Sequence, residues 1–140
     1  MIQVILGKKG SGKTKRLIDQ ANESIKIEHG VIVFVDDDTR YMYDLRHEIR
    51  FVNAGEFVPG EHRSSDWFYG LLAGMLAVNF DITLIYVDAF AKLIQLTDWN
   101  ETEELFQRLE SLSASHNVNL VLSVSADAEE LPDFITRYAV

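Results

Sequence analysis

The stretch Gly7-Lys8-Lys9-Gly10-Ser11-Gly12-Lys13-Thr14 carries the spacing G-x-x-x-x-G-K-[ST]. Each residue type in it has a chemical job. Glycine tolerates positive φ and lets the backbone approach a ligand without a Cβ in the way. Successive N–H groups of residues 10 to 14 can then converge into an anion nest at a helix N-terminus. From that nest the Lys13 ammonium reaches the β- and γ-oxygens of a bound nucleotide, while the Thr14 hydroxyl completes a Mg²⁺ shell. The candidate nucleotide-binding set is Gly7, Lys8, Lys9, Gly10, Ser11, Gly12, Lys13, Thr14 and Lys15, with Thr14 as one metal ligand.

Asp88 is the second candidate, directly after the apolar run Ile82-Thr83-Leu84-Ile85-Tyr86-Val87. An acid at the end of a buried strand can hold Mg²⁺ through water, and it resembles the Walker B aspartate of the P-loop nucleoside triphosphatases, the superfamily that residues 7–14 also resemble. Hydrolysis further needs a group that orients or deprotonates water. Many hydrolysing relatives carry Glu after the Walker B Asp, but here Ala89 stands there. That leaves Asp36, Asp37 and Asp38, of which at most one or two can point into a single site; a solvated turn is the plain alternative. The candidate catalytic set is Lys13, Asp88 and Asp38. Ser123 or Ser125 could contact a γ-phosphate, and Arg40, Arg63 or Arg137 could supply a charge-stabilising finger. His29, His47, His62 and His116 show no ligand spacing and read as surface residues.

Alternating strands and helices must position these groups. Residues 2–6 read as a first strand and about 13–28 as a helix whose stripe is Leu17, Ile18, Ala21 and Ile25. Val31 to Val35 is a strand buried on both faces, and Phe51-Val52-Asn53 a short one. Ser64, Ser65 and Asp66 are N-cap candidates for a helix through Asn79. The run Trp67–Phe80 is apolar nearly all round; it reads as a helix packed on the sheet or as one that also docks a second subunit or partner. Asn100 and Glu103 suggest a capping box before a helix with the stripe Leu105, Phe106, Leu109 and Leu112. Val118 to Val124 is a further strand, and Phe134 to Val140 a terminal edge strand. The expectation is a three-layer α/β/α sandwich, a mostly parallel sheet of about five strands in one nucleotide-binding domain over 1–140. Ligands of such sheets bind beyond the carboxyl ends of the strands, which would gather the glycine loop, Asp36–Asp38, Asp88 and Ser123–Ser125 on one rim.

The totals restrict the partners. A net charge of −9 repels phosphate backbones, so no nucleic acid is expected. Zero cysteines exclude disulfides and thiolate zinc sites. With no signal-peptide pattern and no apolar run of spanning length, a cytoplasmic protein without a membrane partner is expected.

Ser11-Gly12-Lys13-Thr14, followed by Val31-Ile32-Val33-Phe34 and Asp38-Thr39-Arg40-Tyr41, is similar to the opening half of type II thymidine kinases. The similarity covers roughly the first 45 residues; the family's zinc-binding cysteines are absent, and its Asp-Glu pair is Asp88-Ala89. It implies a RecA-like or thymidine-kinase-like core in minimal form. Three functions stay open: a Mg²⁺-dependent ATP- or GTP-binding protein that hydrolyses slowly, a small-molecule or nucleoside kinase, and a nucleotide-dependent switch or assembly subunit without turnover. No Asn/Thr-Lys-x-Asp guanine motif is present, which favours ATP.

Overall fold

Short β-branched runs separated by glycine, proline and amphipathic stretches fold here into alternating strands and helices. The computed structural model describes residues 1–140. In chain order the elements are β1 (Ile2–Gly7), α1 (Lys13–Ser24), β2 (Val31–Asp36), β3 (Arg50–Asn53), α2 (Ala54–Phe57), α3 (Ser65–Val78), β4 (Ile82–Val87), α4 (Phe90–Leu93), α5 (Glu103–His116), β5 (Asn119–Ser125) and α6 (Asp133–Thr136). All five strands are parallel, in the order β1-β5-β4-β2-β3. This is the expected three-layer sandwich. The chain leaves β1 for β2 across one face and returns to fill the gap with β4 and β5, so β5 separates the glycine-loop strand from the strand that ends at Asp88.

Strand alternation divides the core in two. On one face Val4, Val33, Val35, Ile85, Val87, Leu120 and Leu122 pack under α3, α4, α5 and α6. On the other, Ile5, Ile32, Phe34, Leu84, Tyr86 and Val121 meet Leu17, Ile18 and Ala21 of α1, and Ile49. The stripes anticipated on α1 and α5 are those that face the sheet. No helix is long and apolar enough to cross a membrane.

Three local expectations are corrected. The first helix stops at Ser24 because the Ser24 hydroxyl turns back to donate to the Ala21 carbonyl and residues 25–28 tighten into turns. The capping box does not form: Asp98 accepts the Asn100 N–H at 3.0 Å over a 3-10 turn, and α5 starts at Glu103 without a side-chain cap. The terminal strand does not form as expected: its first residues belong to the short helix α6, and only the tail meets β1, where the Tyr138 carbonyl accepts the Val4 N–H, the Val140 N–H donates to the Val4 carbonyl, and Ala139 makes a parallel bridge with Val4.

Ser64 caps α3, its hydroxyl accepting the Trp67 N–H at 3.1 Å. Phe68, Leu72 and Leu76 are buried, while Gly70, Gly74 and Val78 lie on the solvent side. A Cβ added to Gly70 or Gly74 meets no atom within 4 Å. Alanine there would keep the helix and remove the entropy cost of glycine, so Gly70→Ala and Gly74→Ala should each stabilise the protein by about 0.5–1 kcal/mol. Urea midpoints measure this; a lowered midpoint would show that this face has a close neighbour in solution.

Candidate functional site

β1, at one edge of the sheet, delivers its last residue, Gly7, to the carboxyl rim, and the chain turns through residues 8–12 into α1. The turn needs glycine for two reasons. Gly10 and Gly12 sit at φ +81° and +87°, in the left-handed region. At Gly7 a Cβ would lie 2.5 Å from the Ser11 hydroxyl and 3.1 Å from the Lys13 side chain, so Gly7 keeps the loop closed on itself. The Ser11 N–H bonds the Lys8 carbonyl at 3.0 Å. α1 begins at Lys13 with no acidic side chain in its first turn and no side-chain cap, so its terminal amides stay open to an anion.

Lys13 is 7% exposed, and its ammonium donates to the Lys8 carbonyl at 2.9 Å. Burial pushes its pKa down, and the nearby Asp88 charge opposes that shift. A buried ammonium with one neutral partner gains from an arriving phosphate. The Thr14 hydroxyl contacts both Asp88 oxygens, donating at 3.0 Å to Oδ2 with Oδ1 at 3.3 Å. The Ser123 hydroxyl, from β5, donates to Asp88 Oδ1 at 2.8 Å and accepts the Ala89 N–H at 2.8 Å. Ala89 itself takes φ +50°.

Strand register brings β2 to the same place: Val35 pairs with Val87, which sets Asp36 beside Asp88. The three consecutive acids then part company. Asp36 is 6% exposed, and burial first, then the charges of Asp88, Asp38 and Asp37, push its pKa up to about 7 against one opposing hydrogen bond from the Asp37 amide. Asp37 turns away to pair with the buried Arg63 at 2.5 Å, with Lys92 at 3.6 Å from its other oxygen. Asp38 points outward and caps the Arg40 N–H at 2.8 Å.

A cavity of about 1110 Å³ joins these groups, lined by Lys9 to Lys15 apart from Ser11, by Asp36, Asp37, Asp38, Arg40 and Tyr41, by Asp88, Ala89 and Lys92, and by Ser123 and Ser125. The rim expected from the sequence is therefore one continuous surface. Arg63 is locked by Asp37 and by the Val58 carbonyl, and Arg137 lies just past the end of α6, donating to the Asp133 carbonyl; only Arg40 of the three arginines reaches the cavity. Lys92 also lines the cavity, a place that nothing in the chain around it signals. Asp36 and Asp38 both line the cavity; Asp36, which ends its β-branched run as Asp88 ends its own, is the buried one.

Thr14 and Asp88 are hard oxygen donors in contact beside an open anion nest, a set that suits Mg²⁺. No group of three His, Cys, Asp or Glu side chains could hold a metal ion alone. Such a cation would bind with phosphate oxygens and water completing its shell, as Mg²⁺ prefers.

No family model matches the chain, and no curated protein matches it. Among solved structures it is similar to a KaiC-like protein, PH0186, from the hyperthermophilic archaeon Pyrococcus horikoshii OT3, with a TM-score of 0.67 and 16% identity over 98% of this chain and 68% of that one. It is also similar to the flagellar accessory protein FlaH from Methanocaldococcus jannaschii, with a TM-score of 0.59 and 12% identity over 97% of this chain. The chain spans 65% of the length of that flagellar protein. The likeness is one of fold: a three-layer α/β/α sandwich around a five-stranded parallel sheet, the P-loop NTPase fold.

Proposed function

We propose that this protein binds a nucleoside triphosphate, with ATP as the first choice, together with Mg²⁺, and hydrolyses it slowly. One observation carries the reading: an open amide nest and a buried lysine stand next to a Thr14–Asp88 contact made between the first turn of α1 and the end of β4. The nest and Lys13 hold the phosphate tail by position and charge. Thr14 and Asp88 hold the cation, which when bound would neutralise charge building up on the phosphates.

For hydrolysis, Asp36 is a better base than Asp38. It is buried at the cavity floor beside Asp88, whereas Asp38 is engaged with Arg40. A water oxygen attacks the γ-phosphorus, its proton passes to the Asp36 carboxylate, and the bond from that phosphorus to the oxygen bridging to the β-phosphate breaks, releasing the nucleoside diphosphate and inorganic phosphate. A base with a pKa near 7 is half available at neutral pH, and its proton affinity suits that transfer. With no acid at position 89, turnover depends on this one group.

A second reading, a small-molecule kinase, is favoured by the extent of the cavity, which continues past Asp36 between α1 and residues 38–44, where Ile18, Tyr41 and Asp44 line it. Release of phosphate that requires an added nucleoside or other alcohol would support it.

Lys13→Ala should weaken ATP binding at least tenfold, about 1.4 kcal/mol or more, in an equilibrium titration. Asp88→Asn should remove most of the Mg²⁺ dependence of that binding. Wild-type affinity in the lysine variant would remove the assignment of the nest.

Asp36→Asn should lower phosphate release by about a hundredfold while leaving ATP affinity nearly unchanged. It also has a stability signature. The folded pKa of Asp36, about 7, lies above the ordinary 3.8, so the folded protein keeps a proton that the unfolded chain has lost. The stability from that proton is complete below about pH 4 and disappears as the pH rises through 7. The asparagine variant should therefore gain on the wild type between pH 5 and pH 8, by about 1–4 kcal/mol in urea denaturation. A difference that is flat with pH would show that Asp36 ionises normally.

A further inference from the structure

We propose that Ser123 is a positioning residue for the metal-binding carboxylate: its hydroxyl sets the orientation of Asp88 and ties it to the backbone of the following turn. The proposal rests on the reading that Thr14 and Asp88 hold Mg²⁺.

The observations are specific to this serine. β5 reads Leu120-Val121-Leu122-Ser123-Val124, and Ser123 is the one polar residue in that buried run, at 1% exposure. A hydroxyl in such surroundings must find partners. Register supplies them: Leu122 pairs with Val87 on one side, so Ser123 stands next to Asp88, while on its other side it pairs with Ile5 of β1. Both capacities of the hydroxyl are used, and their direction is settled. The Ala89 amide can only donate to it, and the Asp88 carboxylate can only accept from it.

Two consequences follow. Asp88 Oδ1 is occupied by a charge-assisted bond from the protein interior, which leaves Oδ2, where Thr14 makes its shorter bond, as the oxygen turned to the cavity. The same hydroxyl holds the Ala89 N–H and so retains the left-handed turn at φ +50° that starts α4 and carries Lys92 to the rim. A γ-phosphate contact, the role suggested by the position of Ser123 at a strand end, is not needed to explain its burial or its bonds. Ser125, exposed and two residues on, is the residue of β5 open to the cavity mouth. Outer hydrogen bonds of this kind set metal affinity more than they set ligand binding in the absence of metal.

The test compares wild type, Ser123→Ala, Ser123→Cys, Asp88→Asn and the double variant Asp88→Asn with Ser123→Ala, reading equilibrium ATP affinity in EDTA and across a Mg²⁺ titration. Ser123→Ala should bind ATP in EDTA within about twofold of wild type and need about tenfold more Mg²⁺ for the half-maximal effect. Ser123→Cys, which keeps the volume but bonds weakly, should fall between them. On the Asp88→Asn background the alanine change should add less than about twofold, because the serine acts through the carboxylate. A wild-type Mg²⁺ midpoint in Ser123→Ala, or an undiminished effect on the Asp88→Asn background, overturns the proposal. If the alanine variant does not fold, a wild-type midpoint in Ser123→Cys does the same. A wild-type protein whose ATP affinity ignores Mg²⁺ would instead bring down the metal assignment of Thr14 and Asp88, and the role of Ser123 with it.

Discussion

Burying a carboxylate at the end of a central strand is costly unless its oxygens are met by donors, and the surroundings of Asp88 are organised by that demand. Two segments distant in sequence answer it with hydroxyl donors, and a third holds the backbone behind the carboxylate. α1 supplies the Thr14 hydroxyl, β5 supplies Ser123, and β2 receives the Asp88 amide at the Val35 carbonyl. These bonds hold the glycine loop, the acid and the neighbouring strand end in one register. No buried side-chain nitrogen or oxygen anywhere in the protein lacks a partner. The order β1-β5-β4 makes this possible, because it inserts a strand, and hence a serine, between the loop and the acid.

The Asp36–Asp38 run shows how one stretch of like charge is divided among tasks. Inside the strand, alternation aims Asp36 at the cavity floor. Past the strand end, backbone direction changes, and Asp37 is taken by Arg63, whose guanidinium also lies over the Trp67 ring at 5.7 Å. That contact binds the rim of the site to the start of α3. Asp38 stays at the surface as a turn cap. Three acids side by side would repel one another strongly in one pocket; two of the three are neutralised by local cations, and the third is kept partly protonated by burial.

The outer face of α3 is less constrained. The exposed face of α3 bears Gly70, Gly74, Ala77 and Val78, with Phe80 beyond its end 88% exposed, and no charge lies between Asp66 and Asp81. The helix is held by its buried side alone, through Phe68, Leu72 and Leu76.

What the chain determined by itself was whatever depends on short-range pattern. The glycine loop is legible because positive φ and close approach admit only glycine at Gly7, Gly10 and Gly12, and the five strands because β-branched runs buried on both faces have few other uses. The ends of helices were less legible: Ser24 and Asp98 each chose a local hydrogen bond that competes with the one periodicity suggests. The partners of Asp36, Asp37, Asp88 and Ser123 were decided only in three dimensions. Which acid is buried, and which hydroxyl holds which carboxylate, follows from strand order and register, and these are fixed by packing between residues 35 to 118 positions apart, which no local pattern records.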